Sequence, residues 1–262
     1  MITAASEKCI RYVAINSTFA QAGLELTPAE KADANSRGNV LWQMFGEYYK
    51  SIGVSKQTYL KINLSGEYTE KLRLAFFDKG GTDEISDAVL RGYLKEYYVS
   101  FKLVSAPLSK TDVYGVAHSL TSDEKSAIER SYSINAGYLN AGTSFDDISK
   151  RLADEVSSSQ QAPEVIIINR EHSDFSESFY DNVRTIEEGK AGLYEDKDFI
   201  YLIFRTDILG DGKIFESYRT DCLLQASEVP LESKINAMCN SYASKRNTRL
   251  ADEYYQQVMK IK

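Results

Sequence analysis

The residues of this chain best suited to chemistry are two histidines, three cysteines and the two aspartates of a glycine-containing turn, Asp207 and Asp211. His118 (GVAHSL) and His172 (REHSDF) each stand alone. No H-x-x-x-H, C-x-x-C or H-E-x-x-H spacing occurs, and such spacings are what bring metal ligands onto one helix face or turn. Both histidines fall in stretches read as loops, so surface or hydrogen-bonded imidazoles are expected; a pH switch is the minority reading. Cys9, Cys222 and Cys239 form an odd, sparse set that gives neither a disulfide framework nor a zinc site. Semi-buried free thiols are expected, with a Cys222–Cys239 bridge open in an oxidising compartment. The segment DILGDGK (Asp207–Lys213) hints at calcium, but it lacks the alternating ligands and distant bidentate Glu of an EF-hand. Asp and Gly at a strand end serve turns for backbone reasons alone. No G-x-S-x-G, G-x-x-x-x-G-K or G-x-G-x-x-G is present, so hydrolase and nucleotide-binding readings have no anchor.

The elements that hold these residues follow from composition and periodicity. A chain of 262 residues suffices for one large or two ordinary domains. The 43% hydrophobic and 26% charged content is that of a soluble globular protein. Four prolines and 15 glycines point to mostly helical structure with few tight turns. A net charge of −7 disfavours nucleic acid and anionic membrane surfaces. The longest apolar runs, Val165–Ile168 and Phe199–Phe204, fall far short of the ~20 residues that span a bilayer. No basic segment followed by an apolar one opens the chain, which begins inside an amphipathic helix. A processed form is therefore expected, with secretion or membrane anchoring through a leader outside the chain.

Residues 1–97 read as helical. One helix stops at Gly23. Thr27, Pro28 and Glu30 start the next with a capping box and a first-position proline. Its apolar stripe runs through Leu41, Trp42, Phe45, Tyr48 and Tyr49 and ends at Gly53. Ser55 caps a third helix, which carries Tyr59, Ile62, Tyr68, Leu72 and Phe76 to Phe77. DKGGTDE turns, and Ile85–Tyr98 is a short helix. Residues 98–208 mix both types. A strand covers Tyr98–Leu108, Thr121 with Glu124 boxes a helix start, and Gly142 with Ser144 breaks and restarts that helix. SSSQQAP (Ser157–Pro163) is a loop, Val165–Ile168 a buried strand, Ser173–Ile186 a helix, Glu187–Gly192 a turn, and Asp198–Ile208 the last strand. Residues 209–262 read as two or three C-terminal helices, divided near Pro230 and around Lys245–Thr248, packing back on the first region. The fold class is α+β.

This order resembles extracytoplasmic foldases of Gram-positive bacteria, which join a SurA-type helical chaperone region to a parvulin peptidyl-prolyl isomerase module. GLELTPAEK, GEYYKSIGVSKQTYLK and ISDAVLRGYLKEYYVSFK resemble the chaperone region. Asp87, Leu90 and Tyr93, followed by Tyr97 and Tyr98, match an acidic "D-x-x-L-x-x-Y" helix that runs into the first parvulin strand. LNAGTSFDDISKRLADE and SESFYDNVRTIEEGKAGLYEDKDFIYLIFRTDI resemble the parvulin helix pair and its ending. The resemblance implies a small four-stranded antiparallel sheet wrapped by helices, a peptidyl-prolyl isomerase site, unfolded or extended polypeptide clients, and no cofactor.

The resemblance stops at the active centre. Parvulins place one His on the first strand and one on the last, to favour the twisted amide of a prolyl bond over a barrier of ~18–20 kcal/mol. Here those positions fall at or beside Lys102 and Ile200, and the glycine-rich segment becomes PEVIIINRE (Pro163–Glu171). No catalytic residue is assigned. The candidate peptide-binding residues are Lys102, Phe175, Phe179 and Ile200 for a residual apolar pocket, with Trp42, Tyr48 and Tyr49 for a groove among the helices. Tyr offers large contact area at small entropy cost. Three readings follow: a client-binding folding factor without catalysis, a working isomerase with shifted residues, and a non-enzymatic surface or assembly module that dimerises by exchanging N-terminal helices.

Overall fold

A computed structural model of the chain describes residues 2–156, 164–171 and 173–242 and, beyond them, Arg249, Glu253 and Gln256. The loop expected over Ser157–Pro163, His172 and the division expected around Lys245–Thr248 lie outside the described residues. The chain forms two compact units. One combines Met1–Ser86 with Leu223–Lys262, and the other is Asp87–Cys222. The sequence reading put its breaks at 97/98 and 208/209; the helix before the first strand and the start of the C-terminal helices go with the sheet instead.

The first unit opens with α1 (Ile2–Gln21), α2 (Pro28–Ser51) and α3 (Lys56–Phe77). Their starts follow from local chemistry. The Thr27 hydroxyl accepts from the Glu30 N–H while the Glu30 carboxylate accepts from the Thr27 N–H, and Ser55 accepts from the Thr58 N–H. Such caps stabilise a helix by about 1 kcal/mol each. α1 and α3 meet through Phe19 stacked on Tyr68, with centroids 4.2 Å apart. Asn16 donates to the Ser65 hydroxyl at 3.2 Å beside that stack. α2 approaches α3 closely at Gly38, where a Cβ would stand 2.7 Å from the Leu60 side chain.

The second unit begins with α4 (Asp87–Tyr97), which runs directly into β1 (Tyr98–Pro107). A hairpin of β2 (Ser109–Thr111) and β3 (Ala117–Ser119) follows, then α5 (Ser122–Asn140) and α6 (Phe145–Val156). β4 (Ile166–Asn169), α7 (Glu177–Thr185), β5 (Ala191–Glu195) and β6 (Phe199–Thr206) complete the sheet, whose order is β4-β1-β6-β5 with every pair antiparallel. This is the small antiparallel sheet wrapped by helices that the sequence implies. Its fourth strand, β5, occupies part of the stretch read as a turn, and the β2–β3 hairpin turns the expected His118 loop into a short strand. The break between α5 and α6 falls where Gly142 adopts φ +101°, a conformation that side chains disfavour.

Side chains alternate across the sheet, so neighbours in sequence face opposite layers. Val104, Ala106, Ile200 and Leu202 pack under α5 and α6 against Tyr132, Leu139, Phe145, Ile148 and Leu152. Val99, Phe101, Tyr201 and Ile203 pack on the other side, under α7, against Phe179, Tyr180 and Val183. Arg205 of β6 fixes the end of α7 by donating to the carbonyls of Arg184 (2.9 Å) and Ile186 (2.6 Å).

The chain leaves β6 through DILGDGK. There Asp207 accepts from the Leu209 N–H and Asp211 from the Lys213 N–H, both at 2.9 Å, so both carboxylates do backbone work. α8 (Gly212–Ala226) first packs in the sheet unit: Phe215 is fully buried beneath the Arg91 guanidinium, 3.8 Å from its ring centroid, and Arg219 donates to Asp87 at 2.8 Å. From Leu223, within α8, and on through α9 (Glu228–Ser241), the chain is back in the helical unit. Arg73 of α3 donates to the Leu224 carbonyl (2.7 Å) and the Ser227 hydroxyl (3.1 Å), and Arg11 of α1 forms a two-pronged pair with Glu232. All three cysteines are free, so no Cys222–Cys239 bridge forms.

Candidate functional site

The α7 side of the sheet is the part of this chain where a ligand-binding trough is expected, and it is occupied by the chain's own rings. Phe101 of β1 and Phe179 of α7 are 0% and 1% exposed. Phe179 contacts four aromatic neighbours: Phe175 stacked at 4.3 Å, and Tyr194, Tyr201 and Phe101 at 5.3, 5.3 and 5.5 Å between centroids. Phe175 also meets Phe101 edge-on at 5.8 Å. Stacked and edge-to-face pairs of this kind each add about 0.5–1.5 kcal/mol beyond area burial. The Ser176 hydroxyl, accepting from the Phe179 N–H, starts the helix that carries Phe179, with Phe175 just ahead of the cap.

Hydroxyl and carboxylate groups flank this layer. The Tyr201 hydroxyl donates to Asp196 at 3.0 Å, and Tyr194 shares a 2.8 Å hydrogen bond with Ser178. Desolvation, aided by the Asp196 carboxylate, pushes the Tyr201 phenol up to about 12. Desolvation opposes ionisation of Asp196 as well. The N–H groups of Asp198 and Phe199, together with the Tyr201 hydroxyl, outweigh it and hold that carboxyl below its ordinary range. At neutral pH the pair is a neutral phenol donating to a carboxylate.

Lys102 and Ile200 do lie on adjacent strands of one sheet, β1 and β6, but they face the α5/α6 layer. Lys102 stands opposite Phe204, and Ile200 opposite Ala106. Lys102 reaches outward to Asp146 at 3.0 Å, whereas Ile200 is core. Phe175 and Phe179 lie on the far side of the sheet. The four expected pocket residues are therefore split between two layers, and the residues that do share the trough with Phe175 and Phe179 are Phe101 and Tyr201, each one position from the residues named.

The helical candidates also separate. Trp42 is buried, packed on Tyr59 (5.4 Å) and Tyr49 (6.1 Å), while Tyr49 is half-buried and itself 4.8 Å from Tyr59. Tyr48 points to solvent. It continues an outward stripe on α2 in which Leu41, Met44, Phe45 and Tyr48, at helical spacing, are 40–67% exposed. This stripe contains no charged side chain. Sequence periodicity showed the apolar run but could not divide it between an inner face, Trp42 and Gly46, and an outer one.

The described histidine, His118, sits 2.9 Å from the Asp112 carboxylate, which also accepts from the Tyr114 and Val116 N–H groups. The imidazole, as the strongest of these partners, holds Asp112 below its ordinary range. Among the described residues no group of three His, Cys, Asp or Glu side chains is placed to hold a metal. No helix among them is long and apolar enough to cross a membrane.

No protein-family model and no curated protein sequence matches the chain. Its structural neighbours are PrsA foldases of several Gram-positive bacteria. The foldase protein PrsA of Streptococcus pneumoniae is 12% identical over 92% of this chain and 87% of that one, with a TM-score of 0.44. PrsA of Lactococcus lactis is 9% identical over 98% and 88%, with a TM-score of 0.42. The peptidylprolyl isomerase PrsA of Bacillus cereus is 14% identical over 97% and 88%, with a TM-score of 0.36.

Proposed function

We propose that this chain is an extracytoplasmic folding factor that holds extended apolar polypeptide segments on the outer face of α2, and that its sheet unit is a scaffold without isomerase activity. The observation that carries the reading is the stripe Leu41, Met44, Phe45 and Tyr48. Contiguous exposed apolar surface is unusual on a soluble protein and marks an interaction site. A flexible Met and a Tyr within it suit varied segments, because Met repacks readily and Tyr tolerates partial exposure. The sequence resemblance to secreted and lipid-anchored foldases supports both the client class and the location.

The trough supports the second half of the reading. Catalysis of prolyl isomerisation requires groups that favour the twisted amide over the planar one. Phe101 and Tyr201 bring an apolar ring and a neutral phenol tied to Asp196 to this face of the sheet, and Phe179 fills the space between them.

The test is suppression of aggregation of chemically reduced lysozyme, followed by light scattering. The native chain is expected to suppress it near stoichiometry. The fourfold variant Leu41→Ser, Met44→Ser, Phe45→Ser, Tyr48→Ser, whose changes lie on exposed positions, is expected to lose most of that effect while keeping its helical circular dichroism. Equal suppression by the variant overturns the reading. In the same preparation a short X-Pro peptide is expected to isomerise at its uncatalysed rate.

A further inference from the structure

A second surface, on the opposite side of the sheet unit from the aromatic trough, is lined by two arginines. α5 and Arg151 of α6 line an open groove of about 450 Å³, within the size range of ligand sites. Its wall on α5 is one helical face, with Arg130, Ser131, Ile134, Asn135 and Tyr138 at successive turns, and α6 contributes Arg151. No carboxylate lines it. In a chain of net charge −7 this is a locally cationic concavity.

The two arginines differ in how they are held. The Arg151 guanidinium lies 5.0 Å from the Tyr138 ring centroid and donates to the Asn135 side chain at 3.4 Å. Asn135 is buried and turns its amide nitrogen back to the Ser131 carbonyl at 2.9 Å, leaving its oxygen toward Arg151. Arg151, itself exposed, is thus held beside the groove. Arg130 is exposed, and among the described residues neither arginine is paired with a carboxylate. In the same unit Lys102 is paired with Asp146, Lys125 with Glu195 and Arg219 with Asp87. Ile134 and Tyr138 are about half exposed beside the two cations.

We infer that this groove binds an acidic polypeptide segment, with carboxylates against Arg130 and Arg151 and an intervening apolar side chain against Ile134 and Tyr138. Arginine pairs with carboxylates through two parallel hydrogen bonds, and complementary charge selects such a partner over a neutral one. The alternation of two cations with two apolar contacts favours a peptide over a flat anionic surface. The inference does not rest on the α2 stripe.

The probe is a fluorescein-labelled peptide of alternating Glu and Leu, with its Gln counterpart as control, followed by fluorescence anisotropy on the full chain. The Gln peptide is expected to bind at least tenfold more weakly. Raising NaCl from about 50 to 500 mM is expected to weaken the Glu peptide severalfold. Arg130→Glu, at an exposed position that leaves folding intact, should lower affinity at least threefold, and Arg130→Glu with Arg151→Glu at least tenfold. The α2 serine variant should bind the acidic peptide unchanged, which separates this site from client holding. Equal binding of the Gln peptide, or affinity within twofold in the double charge reversal, overturns the inference. So does charge-dependent binding to phosphatidylglycerol vesicles without peptide binding.

Discussion

Replacing Phe179 with Ala tests whether the trough is filled or open. The ring is buried and touches four aromatic neighbours. Removing it costs the transfer energy of a buried phenyl group, about 2–3 kcal/mol, plus the cavity left behind, giving about 4 kcal/mol in total. Phe175 is the internal control, since it is half-buried and has two ring partners. Its truncation should cost about 1–2 kcal/mol, because solvent already reaches one side. Phe179→Leu keeps most of the volume and should cost about 1.5 kcal/mol. The assay is urea unfolding followed by far-ultraviolet circular dichroism. With a slope of about 2 kcal/mol per molar, the midpoint should fall by about 2 M for Phe179→Ala and by less than 1 M for Phe175→Ala. If the face were an open prolyl pocket lined by Phe179, truncation would enlarge a cavity already wet. A shift below about 0.5 M for Phe179→Ala, or equal shifts for the two alanine variants, would refute the filled-trough argument.

Two further outcomes follow from the same structure. Hydrogen bonds from Lys71 to Glu30 and from Lys110 to Glu124, with the Thr27 and Thr121 caps behind them, hold both carboxyls at about 2 against an ordinary value near 4.5. Depressed carboxyls stabilise the fold fully above their unfolded value, and that stability is lost as pH falls from about 4.5 toward 2. The denaturation midpoint should therefore drop across this window, and Glu30→Gln with Glu124→Gln should flatten the drop; an unchanged profile would show the caps to be inert. Burial pushes the Cys222 thiol up to about 11, whereas Cys9 is exposed. A disulfide reagent at pH 8 should label Cys9 within minutes and Cys222 only on unfolding, and equal rates at the two would show that Cys222 is not buried.

The legible parts of this fold are those fixed by contacts three or four residues long. Thr27 with Glu30 and Thr121 with Glu124 mark helix starts because the cap and its acceptor are both in view in the sequence. Gly142 marks a break for an equally local reason. What could not be read was the face a strand presents. FIYLIF is apolar at every position because both layers bury it, so no alternation indicates which side a residue serves. A one-residue shift on such a strand exchanges its faces. Lys102 and Ile200 thus stand next to Phe101 and Tyr201, which belong to the trough. β5 was hidden for a related reason: AGLYE is short, follows a Gly-containing turn, and gains its strand character from pairing with β6. The Arg130–Arg151 groove joins residues of two helices across a glycine break, and no motif in the sequence announces it.

The helical unit is assembled from both ends of the described chain, with the sheet unit spliced between them. During synthesis at ~5–20 residues per second, the stretch 87–222 takes roughly 7–27 s to emerge. Until it has emerged, α1 and α3 lack Glu232 for Arg11 and the Leu224 carbonyl for Arg73, whereas the sheet unit draws its contacts from one contiguous stretch. The nascent N-terminal helices are thus for some seconds an incompletely folded polypeptide with uncovered apolar faces, the very kind of object the finished protein is proposed to hold.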